Sequence, residues 1–275
     1  NGPDSKNGAY GLYPVESIGV LIDGCVAIGA SDAGVYVGQS EQIIVRNTRA
    51  EYNVAGIEIE NSYHADVYNN IATNNTGGIL IFDLPNLPKQ GGKFVRVFKN
   101  KSFNNNTENF APEGNIVGLV PSGTGLIIMA NRNVEVFENS FDNNQTVHIA
   151  VVAGELESGD ENYDPYPKGV QIHNNQYSNV GKNPDLSRGD LSPILVDIAS
   201  GDMPDIIWDG LLPVSQLLFG QPDNEKIIIE EVNETKFLDL DVFWYVALPF
   251  FHSPSRDKNE FKGSITNLPE ILKWN

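Results

Sequence analysis

At 275 residues the chain can build one large core, or a core with a cap, without splitting into separate globules. Its 40% hydrophobic and 20% charged content excludes a disordered polymer, and no apolar run approaches the roughly 18 residues that cross a bilayer. Acidic residues outnumber basic ones 36 to 18, a formal charge of -18 that disfavours nucleic acid and anionic membrane as partners.

In chain order, Asn1 follows no initiator Met, basic segment or apolar leader, as expected of a chain whose leader was removed or that begins inside a longer one. Tyr10-Gly11-Leu12-Tyr13-Pro14-Val15 already reads as a strand. Upstream coils are therefore expected from a missing N-terminal segment, or a cap from another chain. The single cysteine, Cys25, has no partner for a disulfide or metal motif and reads as a small buried hydrophobe.

Gly34-Val35-Tyr36-Val37, Gly56-Ile57-Glu58-Ile59 and Gly78-Ile79-Leu80-Ile81 then begin 22 residues apart. Val45 and Val67, Asn47 and Asn69, Ala50 and Ala72, and Asn53 and Asn75 keep that spacing. Apolar residues alternate for only a few positions before a Gly, Asn or Ser, the pattern of short strands ended by turns. No amphipathic helix fits beside them in 22 residues. Each strand therefore pairs with its counterpart one coil away, about 4.8 Å distant, and the rest of the coil is the crossover that parallel pairing needs.

The unit returns with insertions at Val95–Phe98, Gly125–Ile128, Val134–Phe137 and Val170–His173. Of 31 asparagines, Asn70, Asn100, Asn139 and Asn175 fall at one equivalent corner, and Asn53, Asn75, Asn105 and Asn144 at another. Amides stacked at the interstrand spacing can hydrogen-bond along the row. Ile194–Ile198, Ile206–Trp208 and Ile227–Glu230 read as further strands, and the apolar run Phe237–Phe251, then a proline-dotted, charged end, as a cap or a strap along the solenoid. The expectation is all-β: a right-handed parallel β-helix with coils over 1–212, then irregular final coils and a C-terminal cap or strap over 213–275.

If Val45, Val67, Val97, Val136 and Ile172 point inward, two outward rows follow. One holds Arg46, Tyr68, Phe98, Phe137 and His173, the other Ile44, Asp66, Arg96, Glu135 and Gln171. Aromatic rings could stack on sugars while Asp66, Arg96 and Glu135 bind hydroxyls or a uronate; the plainer alternative is a covered aromatic row beside a surface ion-pair ladder. A second face carries Tyr36, Glu58, Leu80, Ile127 and His148 beside Glu60, Phe82 and Met129, too apolar to stay bare. The inserts Asp83–Lys93 and Ala153–Lys168 leave the corner after that face and could wall one cleft, or serve as packing straps. Around it, Glu58, Glu60 and Asp83 could serve as carboxylates and Lys93, Arg132 and His148 as neutralisers, though they form no distinctive motif.

His64, His148, His173 and His252 are too scattered for a zinc site, so no metal is assigned. The acidic loop Glu155, Glu157, Asp160, Glu161 and Asp164 offers oxygen ligands to Ca²⁺ but lacks EF-hand spacing, and a solvated loop is the simpler reading. There is no phosphate-binding glycine loop, nucleophile elbow or haem-attachment motif. Residues 46 to 101 are net +2, with seven basic and five acidic groups, inside this acidic chain.

The Gly34-Val35-Tyr36-Val37, Asn53-Val54-Ala55-Gly56-Ile57 and Asn75-Thr76-Gly77-Gly78-Ile79 pattern resembles the parallel β-helix repeat proteins of the pectin-lyase-like superfamily. Ala30–Gly34, Phe82–Pro88 and Met129–Asn133 more narrowly resemble an exported bacterial β-helix family of unassigned activity, over roughly residues 8 to 180. The resemblance implies an N-terminal portion and export through a signal or lipoprotein leader, to a secreted, periplasmic or cell-surface location. It also implies genetic pairing with a c-type cytochrome-like protein, and it supplies no catalytic residues. Members of the wider superfamily cleave, epimerise or bind polysaccharides, a link at fold level only. Two functions are expected from this: binding of polysaccharide along an outward sheet face, with modification open, or non-catalytic docking of a protein partner.

Overall fold

The computed structural model describes residues 2–189, 191–232 and 234–271. Each coil gives one short strand to each of three parallel sheets. Sheet A contains Tyr10–Leu12, Ala33–Gly38, Ala55–Glu60, Gly77–Phe82, Thr124–Met129, Val147–Val152, Ile206–Trp208 and Phe237–Asp239. Sheet B runs from Ile18–Asp23 to Ile228–Glu230, and sheet C from Val26–Ile28 to Gln176–Ser178. The 22-residue period is the strand register itself: Ala33 pairs with Ala55, Ala55 with Gly77, Val45 with Val67 and Ala50 with Ala72. Among the described residues no helix is long and apolar enough to cross a membrane.

Inward residues close the core. Val45, Val67, Val97, Val136 and Ile172 are wholly buried, and they pack against Ile57, Ile79, Leu126 and Ile149 from sheet A. The asparagine rows are hydrogen-bonded ladders at the corners. Asn100 Oδ1 accepts from both the backbone N–H and the Nδ2 of Asn70, each at 3.0 Å, and Asn100 repeats this toward Asn139. The left-handed backbone of the turn falls one residue earlier, at Asn69, Lys99, Glu138 and Asn174, so the ladder amides are chosen for hydrogen bonding rather than for φ. Gly34, Gly56, Gly78 and Gly125 face the second ladder, where an added Cβ would lie within 3 Å of an asparagine Nδ2 at each position.

Three sequence expectations change. Ile194–Ile198 lies within a helix, Leu191–Ala199, whose buried Ser192, Leu195 and Ala199 follow a helical rather than a strand period. Cys25 is half-buried rather than buried, because it occupies the first, solvent-facing rung of an asparagine corner, where its N–H donates to Thr48. The run Phe237–Phe251 divides: Phe237, Leu238 and Leu240 complete a buried coil, while Val246, Leu248, Phe250 and Phe251 project into solvent. The strap along the solenoid is the end that follows, from Gly263 to Ile271, anchored by Phe261 against Trp208 and Phe237, with ring centroids 5.5 and 4.7 Å apart.

The apolar outer face of sheet A is covered from within the chain. Val117 and Val120 from the loop after sheet C, and Leu195 and Ala199 from the helix, pack on Leu80, Phe82, Ile127 and Ala150. At the other end of the solenoid the first coil exposes Ile18, Leu21, Val26 and Ile28. Their register partners one coil on are Glu41, Ile44, Arg49 and Glu51.

Candidate functional site

Two inserts leave the corner between sheets A and B, the first after Phe82 and the second after Val152. They are laced together. Asp160 of the second accepts the N–H of Asn86 at 2.7 Å and the side-chain amide of Gln90, both from the first. The Tyr163 hydroxyl donates to the carbonyl of Asp83 at 2.8 Å. Asp83 accepts the N–H groups of Gly91 and Gly92 at 3.0 and 2.9 Å and so closes the base of its own loop. Burial pushes its carboxyl above the usual range against those bonds, whereas the Asn86 amide, then Gln90, hold Asp160 below it.

Between the loops lies an open cleft of about 620 Å³. Lys93 and Arg132 contribute its cations, Leu87 and Pro88 its apolar lip, and Asp160 and Asn162 the facing polar wall. Lys93 and Arg132 are register partners in a sheet B column that continues to Tyr63 on one side and Lys168 on the other. The next residue in each strand, His64, Phe94 or Asn133, has a left-handed backbone and drops out of register. This bulge-like kink sets the preceding side chain at the corner where the loops depart. Arg132 and Lys168 both pair with Asp164 at 2.7 Å, and Lys89 pairs with Glu41 at 2.7 Å. Lys93 forms no ion pair among the described residues; its ammonium sits 4.9 Å from the Tyr63 ring centroid. Arg132 Nε has no hydrogen-bond partner.

The outward rows of sheet B have the expected register and different surroundings. Asp66, Arg96, Glu135 and Gln171 are buried beneath the strap. Gln171 both donates to and accepts from the backbone of Thr266, at 2.9 and 2.7 Å, while Glu135 accepts the N–H of Leu268 at 2.9 Å and Asp66 that of Ile271 at 3.3 Å. Tyr68, Phe98, Phe137 and His173 stack with centroids 4.8, 4.9 and 5.3 Å apart and nearly parallel planes. The rings spend their faces on one another, so this row offers edges to solvent where a sugar would need a face. His173 Nε2 lies 3.2 Å from Glu135.

The second cleft candidates do not meet. Arg132 lines the cleft and Asp83 is buried at the base of its first loop, while Glu58 and Glu60 are outside the cleft lining, near the Tyr10, Tyr13 and Tyr36 rings. Glu60 accepts from the Tyr36 hydroxyl at 2.5 Å, and the Glu58 carboxyl is fully buried. Burial, then the charges of Glu60 and Asp32, push Glu58 well above the carboxylate range. His148 is two positions from its expected row: Ile127 pairs with Ala150, which places His148 in the glycine column. There its Nδ1 lies 3.0 Å from Asn144, ending the second ladder, and its Nε2 lies 2.9 Å from the Ser178 carbonyl. Burial depresses it to about 4, so it is a neutral ladder terminus rather than a cation. In the acidic loop Asp160 and Asp164 are spent on loop lacing and ion pairs, and the described residues contain no cluster of three or more candidate metal ligands.

The family model described as the right handed beta helix region matches residues 5–94. No curated protein and no solved structure matches the chain. The matched stretch and the three all-parallel sheets show a parallel β-helix fold.

Proposed function

We propose that this protein is an exported β-helix that binds an acidic polysaccharide in the cleft between the two corner inserts. The observation that carries the reading is Lys93, an ammonium without a carboxylate partner among the described residues, at the cleft of a chain whose formal charge is -18. An unpaired cation in so acidic a chain is suited to a ligand that brings its own anion. The long-range field opposes a polyanion, but salt confines that repulsion to about 8 Å at physiological ionic strength, and the contact at Lys93 and Arg132 is shorter. Asn162 and Gln90 can bind sugar hydroxyls, Leu87 and Pro88 can meet sugar C–H groups, and the lacing at Asp160 preorganises the walls.

Calorimetric titration with tetragalacturonate and with a neutral tetrasaccharide tests this. The uronate should bind at least about tenfold more tightly, and more weakly as salt is raised. Equal affinity for both, or no uronate binding, would sink the reading.

A second reading, a non-catalytic assembly protein, draws on the apolar groups outside the coils. Phe250 is fully exposed and Phe219 is 87% exposed, which favours contact with a protein partner. Crosslinking in the native source with wild type and Phe250→Ser/Phe251→Ser would separate the two; identical crosslinked species would remove this reading.

A further inference from the structure

The strap is held by its backbone. Gln171 brackets the N–H and C=O of a single residue, Thr266, and Glu135 and Asp66 accept the N–H groups of Leu268 and Ile271. These three side chains sit on successive or alternate coils, so the row runs along the solenoid axis and meets an extended peptide laid across the strands. Such contacts do not depend on which side chains the peptide carries. One contact does: Arg96 Nη2 lies 3.7 Å from the Glu270 carboxylate, and the guanidinium rests 4.8 Å from the Phe98 ring centroid.

The fit is incomplete. Arg96 is only 6% exposed and its Nε lies 3.7 Å from Asp66 Oδ1, an ion pair too long for a hydrogen bond, so that among the described residues its Nε and Nη1 and Asp66 Oδ1 have no hydrogen-bond partners. Glu270 approaches Arg96 while its own side chain remains 82% exposed, and a space of about 230 Å³ stays open between the strap and Gln42 and His64. A buried guanidinium with donors left over favours an acidic group that reaches it more closely than Asp66 and Glu270 do.

We propose that the sheet B row of Asp66, Arg96, Glu135 and Gln171 is a peptide-binding groove, filled in cis by the chain's own C-terminal strap and able to take an extended acidic peptide in trans. The groove reads backbone at Gln171, Glu135 and Asp66, and acidity at Arg96. The cis strap competes with any incoming peptide, so access depends on its release. This interaction surface is independent of the saccharide cleft.

The test uses the full chain with Thr266→Pro/Leu268→Pro, which removes two of the N–H donors without touching the coils. The probe is a fluorescent peptide spanning Lys262 to Ile271, followed by anisotropy. The double variant should bind it at least about tenfold more tightly than wild type, because cis competition is lost. A peptide carrying Glu270→Lys should bind about tenfold more weakly, and Arg96→Gln in the double variant should erase that difference. No binding by the folded double variant, or a charge preference that survives Arg96→Gln, would overturn the proposal. Should the double variant not fold, the wild type decides: excess peptide should speed hydrogen exchange at the Thr266, Leu268 and Ile271 amides, and unchanged exchange would overturn it equally.

Discussion

The strap groove and the corner cleft are built by the same device and end in opposite states. Each is a column of polar side chains on sheet B, one residue per coil, running Asp66, Arg96, Glu135 and Gln171 in the groove and Tyr63, Lys93, Arg132 and Lys168 at the cleft. In the groove the cation Arg96 lies 3.7 Å from both Asp66 and the returning Glu270; in the cleft Arg132 pairs with Asp164, and Lys93 has no carboxylate partner among the described residues. The difference comes from what is added to the repeat. The strap supplies backbone donors along the whole groove, whereas the inserts stand beside the cleft and lace to one another through Asp160 without filling it. A solenoid thus produces polar columns at no extra structural cost, and the inserts and tail determine which of them remains available.

The comparison assumes one frame under both surfaces, and the asparagine ladder is that frame. Asn100→Ala removes the acceptor for two bonds from Asn70 and the donor for bonds to Asn139 and the Val67 carbonyl. It should lower unfolding free energy by about 3 kcal/mol, measured by denaturant titration. A loss below about 1 kcal/mol would mean that the ladder is not what holds the coils in register.

Lys93→Gln and Arg96→Gln separate the surfaces directly. The first should weaken tetragalacturonate binding about tenfold, or about 1.4 kcal/mol, with an unchanged melting temperature. The second should leave saccharide affinity untouched, because the groove is closed by the strap. Equal effects from the two would erase the distinction between an open and a filled column.

Glu58 belongs to neither surface and offers a pH control. Its folded-state pKa is raised above the ordinary 4.5. The stability this acid contributes is therefore complete below that value and declines as pH rises toward the folded-state pKa. Glu58→Gln keeps the shape without the ionisation. It should stabilise the protein by about 1 kcal/mol near pH 8 and by nothing near pH 4, in paired thermal melts. Stabilisation of equal size at both pH values would assign the effect to packing instead. The smallest effect is expected at the loop lacing: Asp160→Ala should cost about threefold in saccharide affinity and speed exchange at the Asn86 amide, without altering the coils.

The fold was legible because its signal is local and repeated: Val45 and Val67 report the same corner 22 residues apart, and every coil repeats the message. The cleft was partly legible for a similar reason, since the inserts leave equivalent corners and must stand near one another. The strap was not. Its contacts to Gln171, Glu135 and Asp66 span 95, 133 and 205 residues of sequence, and backbone donors leave no trace in side-chain identity. His148 was placed two positions off because the sheet A strand at Val147–Val152 replaces the corner glycine with a ring that ends the ladder. The helix at Leu191–Ala199 was missed because a short apolar run fits both periods, and only its buried Ser192, Leu195 and Ala199 decide between them.

The central claim is that an acidic saccharide occupies the corner cleft and not the strap groove. Hydrogen exchange with and without saturating tetragalacturonate tests it most directly. The account predicts slowed exchange at the amides of Asn86, Gln90 and Asn162, with no change at Thr266, Leu268 and Ile271. Protection at the strap amides, with the insert loops unaffected, would contradict it.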